Sequence, residues 1–224
     1  MKIIAKIFTP YKEKFGIPRQ AGIANSIVSR IVFEPEYRRK EAFVGLSGYS
    51  HIWVIWNFSE SEREDFSPTV RPPRLGGNKR MGVFATRSPF RPNPIGLSCL
   101  ELVQIEESEK EGTVLYVRGA DMLDGTPIYD IKPYLPFADS HPDAKGGFAD
   151  EVFDYSIEVN FPEKLLSLIS EKYREPLCKI LSEDPRPSYK KSSEKEYGML
   201  FAEYEIFFVV KDGVLTVTRV DFKS

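Results

Sequence analysis

The densest concentration of groups able to do chemistry lies between Val70 and Leu97, VRPPRLGGNKRMGVFATRSPFRPNPIGL. Five arginines (71, 74, 80, 87 and 91) and Lys79 stand there without one acidic residue, in a chain whose net charge is only -2. Such a local excess of positive charge suits an anionic partner, phosphate or carboxylate. Pro72, Pro73, Pro89, Pro92 and Pro94 fix φ, while Gly76, Gly77, Gly82 and Gly96 allow tight turns or close approach to a ligand. The segment therefore reads as stiff and pre-shaped. Arg87 and Arg91, four apart, present guanidinium forks beside the neutral donors of Ser88 and Asn93. Neither a GxGxxG nor a P-loop pattern is present.

Three further clusters carry polar groups. Asp121 to Tyr134, DMLDGTPIYDIKPY, gathers Asp121, Asp124 and Asp130 with Lys132, Tyr129 and Tyr134. Read plainly, its Asp-Gly-Thr-Pro is a turn between strands. The carboxylates could equally serve as acid or base, or neutralise a cationic ligand. Phe15 to Gly22, FGIPRQAG, reads as a loop that offers Arg19 and Gln20 as planar donors. Asp184 to Lys191, DPRPSYKK, is an ordinary polar loop or an RNA contact, with Arg186 able to hold phosphate and Tyr189 to stack a base.

Other chemistries are poorly supplied. His51 and His141 are the only histidines and Cys99 and Cys178 the only cysteines, with no CxxC spacing, so no metal site is expected. No apolar run reaches the ~18 residues of a membrane span, and the start carries no secretory pattern. A cytoplasmic setting without membrane contact is the expectation.

The elements that must position these groups are mostly strands. Ile3 to Phe8, Ile27 to Phe33, Met81 to Ala85, Leu97 to Ile105 and Thr113 to Val117 are short and rich in β-branched residues. HIWVIWNF, His51 to Phe58, is apolar on both faces and predicts a central strand. Only Glu36 to Val44 reads as helical in this part. After about Asn160 the period changes, with Leu165, Leu166, Leu168, Ile169 and Tyr173 at helical spacing behind Pro162, and a second short helix from Arg174 to Glu183. Leu200 to Val210, a Lys-Asp-Gly turn and Val214 to Asp221 form a hairpin signature. The expected architecture is mainly β: a small barrel over residues 1–155, followed by a small α+β appendage over 156–224.

Five stretches, FGIPRQAG, GYSHIWVIW, VRPPRLGGNKRMGVFATRSPFRPNPIG, DMLDGTPIYDIKPYLPFADS and DPRPSY, spread along nearly the whole chain, resemble the TsaA-like family. The resemblance implies a small β-barrel that binds S-adenosylmethionine outside the Rossmann framework, often as a homodimer with the cofactor near the subunit interface. The implied reaction is methyl transfer to N6 of threonylcarbamoyladenosine beside the anticodon of tRNA. Carried over by motif, the cofactor would meet Pro18, Arg19 and Gln20, then Ser59 and Glu60, Arg87, Leu97, and Asp124, Gly125, Thr126 and Pro127. Ser59 and Glu60 stand where bacterial relatives carry a histidine-glutamine pair.

On that reading Asp124 or Asp130 assists departure of the acceptor's proton, and Lys132 and Tyr134 position the substrate. Arg91, Asn93, Arg186 and Tyr189 would meet the anticodon loop, while Arg71, Arg74, Lys79 and Arg80 serve tRNA or the dimer contact. Two rivals remain at this level: a non-catalytic RNA-binding or adaptor domain, and a hydrolase or lyase built on the aspartate cluster.

Overall fold

The computed structural model describes residues 1–18, 20–61, 65, 67–72, 79–152, 155–186 and 195–223. Arg19, Arg74 and Tyr189 thus lie outside the described residues. The amino-terminal part contributes strands β1 (Ala5–Phe8), β2 (Val28–Phe33), β3 (His51–Asn57), β4 (Thr69–Val70), β5 (Met81–Gly82), β6 (Ile95–Ser108), β7 (Gly112–Arg118) and β8 (Thr126–Pro133), then a single helical turn α1 (Pro136–Asp139). The carboxy-terminal part holds β9 (Glu158–Asn160), α2 (Glu163–Leu166), α3 (Glu171–Ser182), β10 (Tyr197–Phe201), β11 (Tyr204–Lys211) and β12 (Val214–Phe222).

Six strands close into an antiparallel barrel in the order β1-β2-β7-β6-β3-β8. Closure leaves no unpaired edge within the ring. Alternation fills its interior: Ile52, Val54 and Trp56 of β3 point inward with Ala5, Ile7, Ile31, Leu100, Leu115 and Ile128, all fully or nearly buried. The intervening His51, Trp53, Ile55 and Asn57 face outward. β3 is central, as its two-sided apolarity predicts, paired to β6 on one side and β8 on the other.

Four local expectations are corrected. Met81 to Ala85 is a strand only over β5, followed by a 3₁₀ turn at Val83–Ala85. The helical spacing from Leu165 to Tyr173 spans the end of α2 and the start of α3, which begins at Glu171 rather than Arg174. Glu36 to Val44 is not one helix but two 3₁₀ turns, Pro35–Tyr37 and Lys40–Phe43, with Arg39 extended between them. Leu200 to Val210 is not one strand: Ala202 takes φ +52°, which ends β10 and turns the chain into β11.

The second sheet, β10-β11-β12-β9, adds β9 parallel to β12. Its core is not made by the carboxy-terminal segment alone. Tyr11, Ala24 and Ile27, from the loop joining β1 to β2, are buried among Leu177, Phe201, Ile206, Phe208 and Leu215. Phe15 of the same loop stacks on Phe208 with centroids 6.1 Å apart and lies 6.4 Å from Tyr197. Aromatic contacts of this kind contribute beyond their buried area. The β1–β2 loop is therefore a shared element, rooted in the barrel and clamped by the second sheet.

Candidate active site

That clamped loop carries FGIPRQAG. Asp124 fixes its beginning: the Thr9 N–H donates to Oδ1 (2.9 Å), Lys12 Nζ to Oδ2 (2.7 Å), and the Asp124 N–H to the Tyr11 carbonyl (2.8 Å). The second sheet fixes its middle through the Leu200 N–H on Glu13 Oε1 and the Ala202 N–H on the Pro10 carbonyl, each 2.7 Å. Gly16 is required at the closest approach. Its φ is +91°, and a Cβ there would lie 2.2 Å from Met199 Sδ. Immediately beyond, Pro18 and Gln20 are delivered to an open groove at one end of the barrel.

The groove encloses about 2050 Å³. One wall is the basic segment, whose stiffness has a local cause beyond its prolines. Thr86 Oγ1 donates to the Val83 carbonyl (2.8 Å), the Ser88 N–H donates to Thr86 Oγ1 (3.3 Å) and the Phe90 N–H to Ser88 Oγ (3.2 Å). Arg91 Nη1 closes the turn on the Thr86 carbonyl at 3.2 Å. Arg87 crosses the groove to give Nη1–H to Gln20 Oε1 at 2.8 Å, joining the two motifs. Ser59 and Glu60 stand on the rim, where Lys14 donates to the Glu60 carbonyl. Lys14, Arg71, Arg80, Arg87 and Arg91 make this opening strongly positive.

On the floor sits Asp121. Ser98 Oγ–H donates to its Oδ1 at 2.6 Å, and the Ala21 backbone bears on the same carboxylate. Ser98 is itself held by the Trp56 Nε1–H at 3.0 Å. Gly96 makes room for this arrangement, since a Cβ on it would fall 2.2 Å from the Trp56 ring. Burial pushes the Asp121 carboxyl above the ordinary carboxylate range, against the opposing pull of the Ser98 hydroxyl and the Arg87 charge. Asp121 stands in the sequence cluster already noted, but its place in the groove depends on residues 23 to 100 positions away, beyond the reach of local pattern.

The expected site residues separate into three groups. Pro18, Gln20, Ser59, Glu60, Arg87 and Leu97 line the groove with Thr126, the first residue of β8. Arg91 and Asn93 line it too, as does Arg186. Asp124, Gly125 and Pro127 adjoin Thr126 but do not line it, and Asp124 is engaged in holding the β1–β2 loop. Asp130 and Lys132 lie further along β8, ion-paired to each other at 2.9 Å and registered opposite the outward-facing Ile55 and Trp53. Tyr134 follows them, its ring 5.8 Å from Trp53 and 6.2 Å from His51. These three therefore stand on the barrel's outer wall rather than in the groove.

Arg186 departs from its expected role in a second respect. Its Nε and Nη2 donate to the two oxygens of Asp184 at 2.7 and 3.0 Å, and both side chains are nearly sealed from solvent. Tyr155 Oη–H completes the arrangement at 3.0 Å from Asp184 Oδ2. A guanidinium so committed is first a fastener of the 184–186 turn, where Asp184 adopts φ +51°.

A closed antiparallel barrel with a basic groove at one end, reached by a loop that a second small sheet holds in place, defines a non-Rossmann binding architecture. The chain belongs to the tRNA-methyltransferase O family: residues 6–140 match the profile of the tRNA-methyltransferase O N-terminal domain and residues 154–223 that of the TrmO C-terminal domain. It is 42% identical over 218 residues to the tRNA (adenine(37)-N6)-methyltransferase of Escherichia coli K12, covering 94% of this chain and 92% of that one. It is 44% identical over 173 residues to the protein of the same name from Eikenella corrodens, with 77% and 97% covered. The crystal structure of TrmO from Pseudomonas aeruginosa superposes with a TM-score of 0.75 at 30% identity, covering 98% of this chain and 96% of that one.

Proposed function

We propose that this protein is an S-adenosylmethionine-dependent methyltransferase acting on N6 of the adenine next to the tRNA anticodon, with threonylcarbamoyladenosine as acceptor. The observation that carries this reading is the convergence of Pro18, Gln20, Arg87, Leu97 and Thr126, drawn from three distant motifs, on one groove in a chain of this family. The chemistry of the lining suits the methyl donor. Arg87 can take its carboxylate. When bound, that donor supplies an activated methyl group; the protein supplies position and charge.

The basic rim is the anion-binding surface for tRNA, with Arg71, Arg80 and Arg91 directed to the anticodon-loop phosphates. The carboxy-terminal domain borders this surface at Pro185 and Arg186 on the groove's margin. Leu97, 55% exposed, with Phe84 at 74% and Phe137 at 88%, provides apolar surface for a second copy of the chain, so that the working form is a homodimer. Its place of work is the cytoplasm, where tRNA is modified.

Deleting the gene tests the proposal. Nucleoside mass analysis of tRNA from the deletion strain should show loss of N6-methylated threonylcarbamoyladenosine and gain of the unmethylated form, both reversed by the gene on a plasmid. Unchanged nucleosides in the deletion strain would overturn it.

A further inference from the structure

We infer that Asp121 is the proton acceptor of the methyl transfer, a carboxylate on the groove floor aimed by Ser98 that takes the N6 proton as the methyl arrives. The inference rests on the methyltransferase reading and adds the residue that completes its proton balance. As the N6–C bond forms and the S–C bond breaks, the sulfur leaves as a neutral thioether. The N–H electron pair stays on nitrogen, and the proton passes to the Asp121 carboxylate. One cation and one anion thus become two neutral groups, so no net charge is created in the groove.

Elimination on the structure leads to the same residue. Among the described residues lining the groove, only Glu60 and Asp121 carry carboxylates. Glu60 is on the rim with its side chain 62% exposed, beside Lys14. Asp124 is engaged by Thr9 and Lys12, and Asp130 by Lys132 on the outer wall. Asp121 alone is both recessed and oriented. Its elevated affinity for a proton, caused by burial, is what a base needs to draw a proton from a weakly acidic N–H. The titratable or charged groups that bear on it are Arg87, across the groove, which favours the carboxylate, and the buried Tyr11 phenol, whose own ionisation Asp121 disfavours.

Ser98 and Trp56 are positioning residues in this scheme. Trp56 occupies the Ser98 oxygen as acceptor, so the one Ser98 proton is directed to Asp121 Oδ1. Removing that donor should raise the proton affinity of Asp121 further, a change that a purely structural serine would not produce.

The test uses the full chain with tRNA from a strain lacking it. Single-turnover methylation by the native protein should rise with pH along one acid limb. Asp121→Asn should lower the rate by about 10²-fold or more, while calorimetric affinity for S-adenosylmethionine stays within about threefold. Ser98→Ala should move the acid limb to higher pH. A ¹³C NMR titration of aspartate carboxyls in the protein without ligands should show one resonance, absent from Asp121→Asn, with a midpoint above the ordinary range and higher still in Ser98→Ala. An inactive native protein would overturn the methyltransferase reading itself. An active one whose Asp121→Asn variant keeps rate and pH profile would overturn Asp121 as the base. So would loss of donor binding with the chemical step unchanged, which would make it a cofactor anchor instead.

Discussion

Gly96→Ala isolates the link between packing and site geometry. Gly96 is not in the left-handed region, so its backbone accepts alanine, and the one obstacle is the Trp56 ring, with Cε2, Cζ2 and Cδ2 at 2.2, 2.4 and 2.6 Å from the added Cβ. Trp56 cannot swing away freely. It is 5% exposed, its ring centroid is 4.2 Å from that of Phe58, and its Nε1–H serves Ser98. Overpacking of this kind costs about 1–3 kcal/mol, and losing the buried hydrogen bond adds about 1 kcal/mol. Alanine's lower entropy in the unfolded chain returns about 0.4–1 kcal/mol, which leaves a net destabilisation of about 1–3.6 kcal/mol. For a chain of this size that lowers Tm by roughly 2–14 °C. Gly48→Ala, where an added Cβ meets nothing within 4 Å, is the control and should stay within about 0.5 kcal/mol. Denaturant melts followed by near-UV circular dichroism read both. If Gly96→Ala melts with the control and keeps its aromatic signal, Trp56 is not wedged as described, and the path from Gly96 to Asp121 is refuted.

Asp121→Asn should trade activity for stability. Because the folded-state proton affinity is raised, ionising Asp121 costs stability as pH climbs from the unfolded carboxylate value of about 3.9 through the higher folded value. The asparagine variant should therefore melt above the native protein at pH 8 and lose that advantage below about pH 4; equal melting at both pH values would contradict the burial argument. Arg186→Ala strands the Asp184 carboxylate, only 3% exposed, and should cost about 3–5 kcal/mol. Thermal melts should show it, and a variant of native stability that merely binds tRNA less well would restore the simpler phosphate-contact role. Arg71→Ala and Arg80→Ala should each weaken tRNA binding and reduce the slope of log affinity against log salt by about one, while calorimetric affinity for S-adenosylmethionine holds; an unchanged salt slope would remove them from the tRNA surface.

The barrel's central strand was legible because HIWVIWN carries apolar residues on both faces, and the β11–β12 hairpin because Lys-Asp-Gly marks its turn. β8 was obscured. Its Asp-Gly-Thr-Pro opening reads as a turn, and Asp130 and Lys132 read as groups for catalysis and substrate positioning, yet Thr126 and Ile128 point inward while the charged pair faces outward. The carbon skeleton of the groove could be anticipated from the motifs, since Arg87 and Gln20 do meet. The burial of Asp121 could not. It arises where Ala21, Arg87 and Ser98 close around it, and no window of local sequence holds all three. The service of Arg186 to Asp184 was hidden for a related reason, as two residues apart in a polar loop gives no sign that both will be sealed from water.

Direct methyl transfer decides the central claim. The purified protein is incubated with methyl-labelled S-adenosylmethionine and tRNA from a strain lacking it, and the tRNA is digested and its nucleosides separated. Label should appear in N6-methyl-threonylcarbamoyladenosine from the position next to the anticodon. Unlabelled tRNA from a protein shown by calorimetry to bind the donor, or label confined to another nucleoside, would contradict the account.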